Sequence, residues 1–542
     1  MPIARIDSNL CTGCGMCVDT CPEDVFRLNV QPIEEELVSP CGVQCPAGVN
    51  VRKYSYYVEM GMMEEAIKNL REYLPFPAVT GRVCPHTCES GCARCEVDEA
   101  VNINYLERYV GDYFLHEKAE PVEKLYAKKI AVIGSGPAGL SCAYFLCRKG
   151  YPVTVFESLP KLGGMLRIGI PAYRLPRDVL DAQIGYIEDM GVEFKTGVTV
   201  GKDISLDELR KEYDAVFFAT GTQLSKNVKV EGDDLEGIST GLDFLRAVGL
   251  GNAPEVKEKV AVIGGGNVAI NVALTALRLG AKEVRVVCLE GRDEMPAFPE
   301  EIQQAVDEGI LLYPASATKR IVGKDGRVAG IEVMPCVSVF DENGAFNPKY
   351  DESKTEAFEV DQIVCAIGQA SDLSLIPESI KVTRGSIEAD SLTLETSLKG
   401  VFAGGDIVDP RGASVVKAVA AGKRAAVSIE LYLTGGNMRT DRGETVRVQH
   451  PPKDGVLQFP RRSTQPLPVE KRKGNFDEVK TGFTENEARL EAMRCMTCGS
   501  RASIEYPEDC MVCLYCERDC PSHAIYVSPD RPAKRMAPWD LA

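Results

Sequence analysis

Tryptophan occurs once and histidine four times in 542 residues, so imidazole has little part in any metal site or acid–base step. No run of 18 or more apolar residues is present, and no membrane-spanning helix or membrane insertion is expected. The opening MPIARIDSNLCTGCG has neither an apolar core nor a cleavage site, so it does not read as a secretory leader, and a cytoplasmic protein is expected. Positive charge is in deficit: 62 Lys and Arg against 79 Asp and Glu give a net charge of −17. That balance argues against nucleic acid and anionic membranes as partners.

Cysteine, by contrast, is abundant, with 21 residues. In a short secreted chain this would suggest disulfides; in a large acidic chain with C-x2-C groupings it points to metal ligation. Cys11, Cys14, Cys17 and Cys21 follow C-x2-C-x2-C-x3-C with Pro22 next, the spacing that holds a [4Fe–4S] cluster. Cys510, Cys513, Cys516 and Cys520 repeat it before Pro521. Where two such runs combine, the fourth cysteine of each serves the neighbouring cluster. Two arrangements are open. The chain ends could pair into one two-cluster ferredoxin fold, with Cys520 joining Cys11, Cys14 and Cys17, and Cys21 joining Cys510, Cys513 and Cys516. Alternatively, each run holds its own cluster. Half a ferredoxin buries little by itself, which motivates the first arrangement.

Nucleotide binding is written in Lys128 to Glu157, KKIAVIGSGPAGLSCAYFLCRKGYPVTVFE. An apolar strand runs into Gly134, Gly136 and Gly139 in G-x-G-x-x-G spacing, with Pro137 and Ala138 opening a helix. A second strand ends in Glu157, an acid placed to accept from ribose hydroxyls. The order strand, glycine turn, helix, strand aims a helix N-terminus at a pyrophosphate. A second fingerprint, KVAVIGGGNVAINVA, has Gly264, Gly266, Asn267, Val268 and Ala269 after another apolar strand. Its second strand ends in Glu290, followed by Gly291 and Arg292. Glu290 would accept from a ribose 2′-OH and repel a 2′-phosphate, so NAD(H) is favoured over NADP(H), with Arg292 as a remaining phosphate partner. Gly368 is counted among the nucleotide-contacting residues. Cys142 and Cys147 imitate a redox pair, but five positions apart on one helix they do not share a face. They are read as core, with Cys288, Cys336 and Cys365. This leaves 16 of the 21 cysteines, enough for about four [4Fe–4S] clusters.

Three further stretches bear on organisation. Val51 to Tyr73 has helical periodicity, with Tyr57, Met60, Ala66, Ile67 and Leu70 as core candidates. Residues Thr440 to Lys480 read as a surface connection. Thr484 and Glu487 fit a capping box opening a helix through Ala492.

From about Val38 to Ala524 the chain resembles the glutamate synthase small-subunit family of FAD- and Fe–S-dependent pyridine nucleotide oxidoreductases. SPCGVQCPAGVNV and GRVCPHTCESGCARCEV carry the likeness to the Fe–S domain it shares with dihydropyrimidine dehydrogenase. The resemblance implies one cluster on Cys45, Cys84, Cys88 and Cys92. The family's second cluster uses an upstream C-x2-C pair that is missing just before Cys41. Cys41, Cys95 and Glu107 are a remodelled version of it, or else Glu107 is a solvated helix residue. Cys495 and Cys498 either complete a site with the cysteines near Cys41 and Cys95 or bind a cluster with a partner subunit. The resemblance further implies FAD contacts in LGGMLRIGIPAYRLP (Gly164, Met165, Arg167), at Thr220 and Gly221, and in FAGGDIVDPRGAS (Gly405, Asp406, Ala413, Ser414). There the aspartate bonds the ribityl chain.

The expected fold is α/β, with two nested dinucleotide-binding domains of glutathione-reductase type. An N-terminal helical Fe–S domain precedes them, and ferredoxin-like segments stand at both ends. Expected boundaries are 1–30 for the first ferredoxin-type segment and 31–127 for the helical domain. FAD takes 128–257 with 371–440, and NAD(P) takes 258–370. The connection spans 441–484 and the last Fe–S segment 485–542. The expected function is that of an NAD(P)H:acceptor oxidoreductase subunit. It would pass electrons between nicotinamide, FAD and [4Fe–4S] clusters, to or from other subunits of a complex or free ferredoxin. The alternatives are a glutamate synthase small subunit or a non-catalytic Fe–S scaffold.

Overall fold

Each glycine-rich fingerprint follows a strand that became the middle of a five-stranded parallel sheet. In the first sheet the order is Val401–Ala403, Ala215–Phe218, Ile130–Ile133, Val153–Glu157, Glu193–Thr196. In the second it is Leu311–Tyr313, Glu283–Val287, Lys259–Ile263, Gln362–Cys365, Ile238–Thr240. Ile130–Ile133 and Ala215–Phe218 are buried throughout, which is why they read as continuous apolar runs rather than alternating ones. The second sheet is inserted between two adjacent strands of the first, so the two folds are nested.

The computed structural model describes residues 5–6, 16–22, 25–28, 37–411, 414–440, 447–448, 456–498, 502–504, 515–520 and 525–526. It divides into two units: residues 115–439 with 464–481, and residues 1–114 with 440–463 and 482–542.

The first of these is the flavoprotein-like unit. Its inserted sheet starts earlier than expected, since Ile238–Thr240 pairs with Gln362–Cys365. A three-residue, half-buried strand leaves no periodic signal to read. Also absent from the sequence reading is an antiparallel sheet of Ser316–Lys324, Arg327–Phe340, Phe346–Tyr350 and Glu356–Glu359. The helix Val415–Thr434 packs on Pro137–Arg148, where the Ser141 hydroxyl donates to Val419 O at 2.8 Å. Gly422 makes this approach possible: a Cβ there would collide with Ala138 O and stand 2.7 Å from Ser141 Cβ. Residues 464–481 of the expected connection belong here. Its Arg472 reaches Glu308 at 3.2 Å, and Glu308 also pairs with Arg278 at 2.6 Å.

The second unit is helical at its centre. The periodic stretch from Val51 is two helices, Val51–Met60 and Met63–Arg71, divided at Gly61 with φ of +73°. Tyr57, Ala66, Ile67 and Leu70 are buried, but Met60 is 44% exposed, because the chain turns before its face can meet the core. Pro77–Val83 and Ile103–Tyr113 complete the group. The helix Glu485–Ala492 joins them with both capping-box bonds formed, Thr484 N to Glu487 Oε2 at 2.8 Å and Glu487 N to Thr484 Oγ1 at 3.4 Å. Its packing partners are Val51–Met60 and Ile103–Tyr113.

The two chain ends also meet. Arg5–Ile6 pairs antiparallel with Ile525–Tyr526, and Phe26–Leu28 with Ala502–Ile504. Short helices Met16–Thr20 and Tyr515–Asp519 pack together. Cys17, Val25, Phe26, Cys516, Cys520 and Ile525 share one core, with Ile6, Val18 and Cys21 against it. Neither end could assemble this core alone.

Candidate flavin, nicotinamide and iron–sulfur sites

The first glycine turn is held in shape by Ser135, a residue the sequence reading passed over. Glu157 Oε2 accepts from Ser135 N at 3.0 Å and from its hydroxyl at 2.5 Å. The same hydroxyl accepts from Gly163 N at 3.0 Å. Ser135 thereby joins the fingerprint, its terminal acid and the Gly163–Gly164 loop. The only prior sign was its place between two fingerprint glycines. A Cβ on Gly139 would run into Gly134 O, so the turn and helix Pro137–Arg148 close only on glycine. Gly136, the N-cap of that helix, faces open space, which leaves its N-terminus accessible to an anion.

Several expected flavin contacts lie around this turn. A Cβ on Gly134 would stand 3.3 Å from Thr220 Cα, one on Gly164 would be 2.8 Å from Gly136 Cα, and one on Gly405 would be 3.1 Å from Ala138 Cβ. Thr220 Oγ1 is buried without a hydrogen-bond partner, and Gly221 beside it faces open space. Burial pushes the Asp406 carboxyl up to about 6, with Asp409 adding to the effect. An orphaned hydroxyl, a half-buried carboxylate and an open helix N-terminus converge, as the polyhydroxyl and diphosphate parts of FAD require. Met165 opens the short helix Met165–Ile168, and Ser414 caps Val415–Thr434 by accepting from Lys417 N at 3.4 Å. Arg167 is turned inward: it donates to Leu162 O at 2.5 Å and pairs with Asp181, so its charge is already committed. Ala413 lies outside the described residues.

The second fingerprint repeats the design. Gly266 caps Asn267–Arg278, Ala269 is fully buried, and Asn267 Oδ1 accepts from Phe298 N at 2.8 Å. Val268 follows in the first turn of the same helix. Glu290 reaches the turn: a Cβ on Gly265 would be 2.8 Å from its Oε2. Arg292 is exposed in the short helix Arg292–Glu294. Gly368, with φ of +120°, accepts from Lys226 N at 3.0 Å through its carbonyl. The loop before Pro176 is tied to this half, since Arg174 donates to Asn271 Oδ1 at 3.2 Å and pairs with Glu301. Cys142, Cys147, Cys288, Cys336 and Cys365 are all buried. Loss of solvent raises the Cys147 thiol to about 11 and the Cys288 thiol to about 12, so neither is a ready nucleophile at neutral pH.

In the helical unit the cysteine donors can be grouped by the charges that act on them. Cys45, Cys84 and Cys88 are raised first by burial, and each also feels the charge of Glu107. Glu107 itself is 8% exposed, with Oε1 unpartnered and burial lifting its carboxyl to about 7. It is therefore not a solvated helix residue. Burial raises Cys41 to about 11, and the charge of Cys92 contributes to that rise. Burial likewise raises Cys495 and Cys498, and Cys41 and Cys92 add to both. Cys95 is exposed in the turn Ala93–Glu96, its backbone N–H donating to Cys92 O at 3.0 Å. Among the described residues no three His, Cys, Asp or Glu side chains gather closely enough for a single metal ion. A cubane, with four irons and four sulfides inside the ligand shell, spreads its ligands wider. At the chain ends, Cys17, Cys21, Cys516 and Cys520 lie together, while Cys11, Cys14, Cys510 and Cys513 lie outside the described residues.

Comparison with known proteins agrees with this layout. The pyridine nucleotide-disulphide oxidoreductase profile matches residues 128–422. The chain belongs to that family. The profile of dihydropyrimidine dehydrogenase domain II with its 4Fe–4S cluster matches residues 37–119, and a 4Fe–4S binding domain matches residues 4–27. This family member is 40% identical, over 85% of its length and 71% of the relative's, to the NADP(+)-dependent formate dehydrogenase subunit beta of Moorella thermoacetica. It is 36% identical to the NADPH-Fe(3+) oxidoreductase subunit beta of Geobacter sulfurreducens, over 87% and 76% of the two chains. With the glutamate synthase [NADPH] small chain of Azospirillum brasilense the identity is 33%, over 72% and 86%. FprA from Mycobacterium tuberculosis shares the fold, with a TM-score of 0.50 over 57% of this chain and 85% of that one, at 20% identity. The protein is an FAD- and Fe–S-dependent NAD(P)H oxidoreductase of this family. No helix among its described residues is long and apolar enough to cross a membrane.

Proposed function

We propose that this chain is the nicotinamide-handling subunit of a larger cytoplasmic oxidoreductase, exchanging electrons with partner subunits or free ferredoxin, and that it prefers NAD(H). The observation that carries the preference is the Glu290 carboxylate beside Gly265 at the second glycine turn. A carboxylate there accepts from a 2′-hydroxyl and repels a 2′-phosphate. The relatives' names specify NADP or NADPH, so the two nucleotides must be compared directly.

A bound flavin takes up electrons in pairs from a nicotinamide and releases them singly, as [4Fe–4S] clusters require. The chain's own residues hold and orient. The N-termini of Pro137–Arg148 and Asn267–Arg278 receive the two diphosphates. Ser135 and Glu157 fix the first turn, Thr220 supplies an unpaired hydroxyl, and Asp406, ionised above about pH 6, accepts from sugar hydroxyls. Hydride transfer needs no acid or base, and none is assigned.

Anaerobically purified protein should reduce a viologen dye with NADH at a higher kcat/KM than with NADPH. A higher value with NADPH overturns the nucleotide assignment; no reduction with either overturns the oxidoreductase subunit in favour of a scaffold. A second reading, a glutamate synthase small subunit, rests on the 33% identity to such a chain. Chains co-purifying from the native cell distinguish the two: a glutaminase-bearing large subunit supports the second.

A further inference from the structure

Residues 22–40 contain no cysteine, so nothing shortly before Cys41 can help it hold a cluster. The fold brings a pair from the other end of the chain. We propose that Cys41 and Cys92, from the amino-terminal part, and Cys495 and Cys498, from the carboxyl-terminal part, jointly ligate one [4Fe–4S] cluster. Cys45, Cys84, Cys88 and Glu107 form a separate donor set. The proposal rests on the iron–sulfur reading above and assigns the ligands of one site within it.

The amino-terminal half of the site is a junction of two turns. Thr87 Oγ1 donates to Gln44 O at 2.9 Å, tying Thr87–Ser90 to Pro40–Gln44. A Cβ on Gly91 would be 3.1 Å from Pro40 O, so the residues preceding Cys92 and Cys41 touch. Cys41 is 8% exposed.

The carboxyl-terminal half is pinned against this junction. Arg494, next to Cys495, is 1% exposed and donates to Asp98 Oδ1 at 2.9 Å, Glu99 O at 2.6 Å and Ala100 O at 3.1 Å. Its own carbonyl accepts from Arg94 Nη1 at 3.2 Å, two residues beyond Cys92. Glu491 Oε1 accepts from Asn102 N at 2.7 Å. On the far side of the C-x2-C pair, Arg52 donates to Cys498 O at 3.4 Å. The pair is thus fixed at both ends by residues of the amino-terminal half. Each of Cys41, Cys495 and Cys498 also has another cysteine of the four among the charges acting on it.

Ligation would release the four thiol protons to solvent as thiolates bind iron. Arg52, which donates to Cys498 O, places a cation beside the pair, while Arg94 and Arg494 are already matched by Asp98 and Glu491.

The test uses full-length protein purified anaerobically, with iron, acid-labile sulfide, FAD and EPR spectra of the dithionite-reduced protein measured together. Cys495→Ser combined with Cys498→Ser should remove about four irons per chain while FAD stays unchanged. Cys41→Ser and Cys92→Ser should abolish the same EPR signal, and Cys84→Ser a different one. Iron unchanged in the double variant, or signal loss shared with Cys84→Ser but not Cys41→Ser, overturns the proposal. Wild-type protein supplies a check independent of variant folding. Cys41, Cys92, Cys495 and Cys498 should resist alkylation when iron-replete and become reactive together on oxidative cluster loss. Rapid alkylation of Cys495 or Cys498 in iron-replete protein also overturns it. Absence of iron from the wild type would instead defeat the underlying iron–sulfur reading.

Discussion

Arg494 and Asp98 meet at 2.9 Å, guanidinium to carboxylate, across 396 positions of sequence. Asp98 is also gripped by Arg94 through two bonds, at 2.8 and 2.7 Å, which hold its carboxyl well below the usual range. Arg494→Leu removes the guanidinium that the buried Glu491 carboxylate pairs with at 2.7 Å, and its bonds to Asp98 and to Glu99 O and Ala100 O. Removing one member of a buried pair costs about 3–5 kcal/mol. The expected result is a lower unfolding temperature and faster proteolysis after residue 456, measured by calorimetry and mass-mapped digestion.

Gly422→Ala places a methyl group against Ala138 O and Ser141 Cβ. Overpacking at such a contact costs about 1–3 kcal/mol and pushes two helices apart. Because Ala138 lies within the glycine fingerprint, in the first turn of its helix, FAD retention should fall with stability. Flavin absorbance after gel filtration checks it, and full retention would show that the helix pair adapts.

Glu290→Ala should raise KM for NADH by roughly 10- to 100-fold, the worth of a lost hydrogen bond to a charged acceptor, with little change in KM for NADPH. Arg292 stands two residues on, so Glu290→Ser should improve NADPH use relative to wild type. Steady-state dye reduction with both nucleotides measures this.

Asp406 gives a pH signature in flavin-free protein. Its carboxyl lies at about 6 in the fold against 3.8 ordinarily, raised by burial and then by Asp409. The folded form binds the proton more tightly than the unfolded one. The associated stability is therefore present below the ordinary value and lost as pH rises through about 6. Asp406→Asn should flatten that part of the unfolding-temperature profile between pH 5 and 7 and weaken FAD binding. A wild-type profile that rises across this interval would contradict it.

Cys520→Ser tests the pairing of the chain ends. Cys520 shares a core with Cys17, so its loss should perturb the cluster held mainly by the amino-terminal run. EPR comparison with Cys17→Ser decides: a shared spectral change supports pairing, and separate changes indicate self-contained clusters.

What the sequence made legible was short-range. The glycine fingerprints, the terminal acids Glu157 and Glu290 and the Thr484–Glu487 cap depend on residues within about thirty positions of one another. Their spacing alone specifies the geometry. Long-range relationships were not legible. Ile238–Thr240 enters a sheet because Gln362–Cys365 offers an edge, and nothing in its own three residues says so. The approach of Cys495 and Cys498 to Cys41 depends on how two turns and a distant tail meet. Met60 looked like core until Gly61 ended its helix. Ser135 looked like a spacer because its hydroxyl finds its partners only after folding.

Antiparallel pairing of Arg5–Ile6 with Ile525–Tyr526 has a biosynthetic consequence. During translation the nucleotide folds can close while the ribosome is still adding residues. The amino-terminal cysteines, made first, must wait for the last stretch to emerge before their shared core exists. Iron delivered too early would meet half-built binding loops. Assembly at this shared core should therefore follow synthesis of residues 502–526, with the flavin seated before its metal.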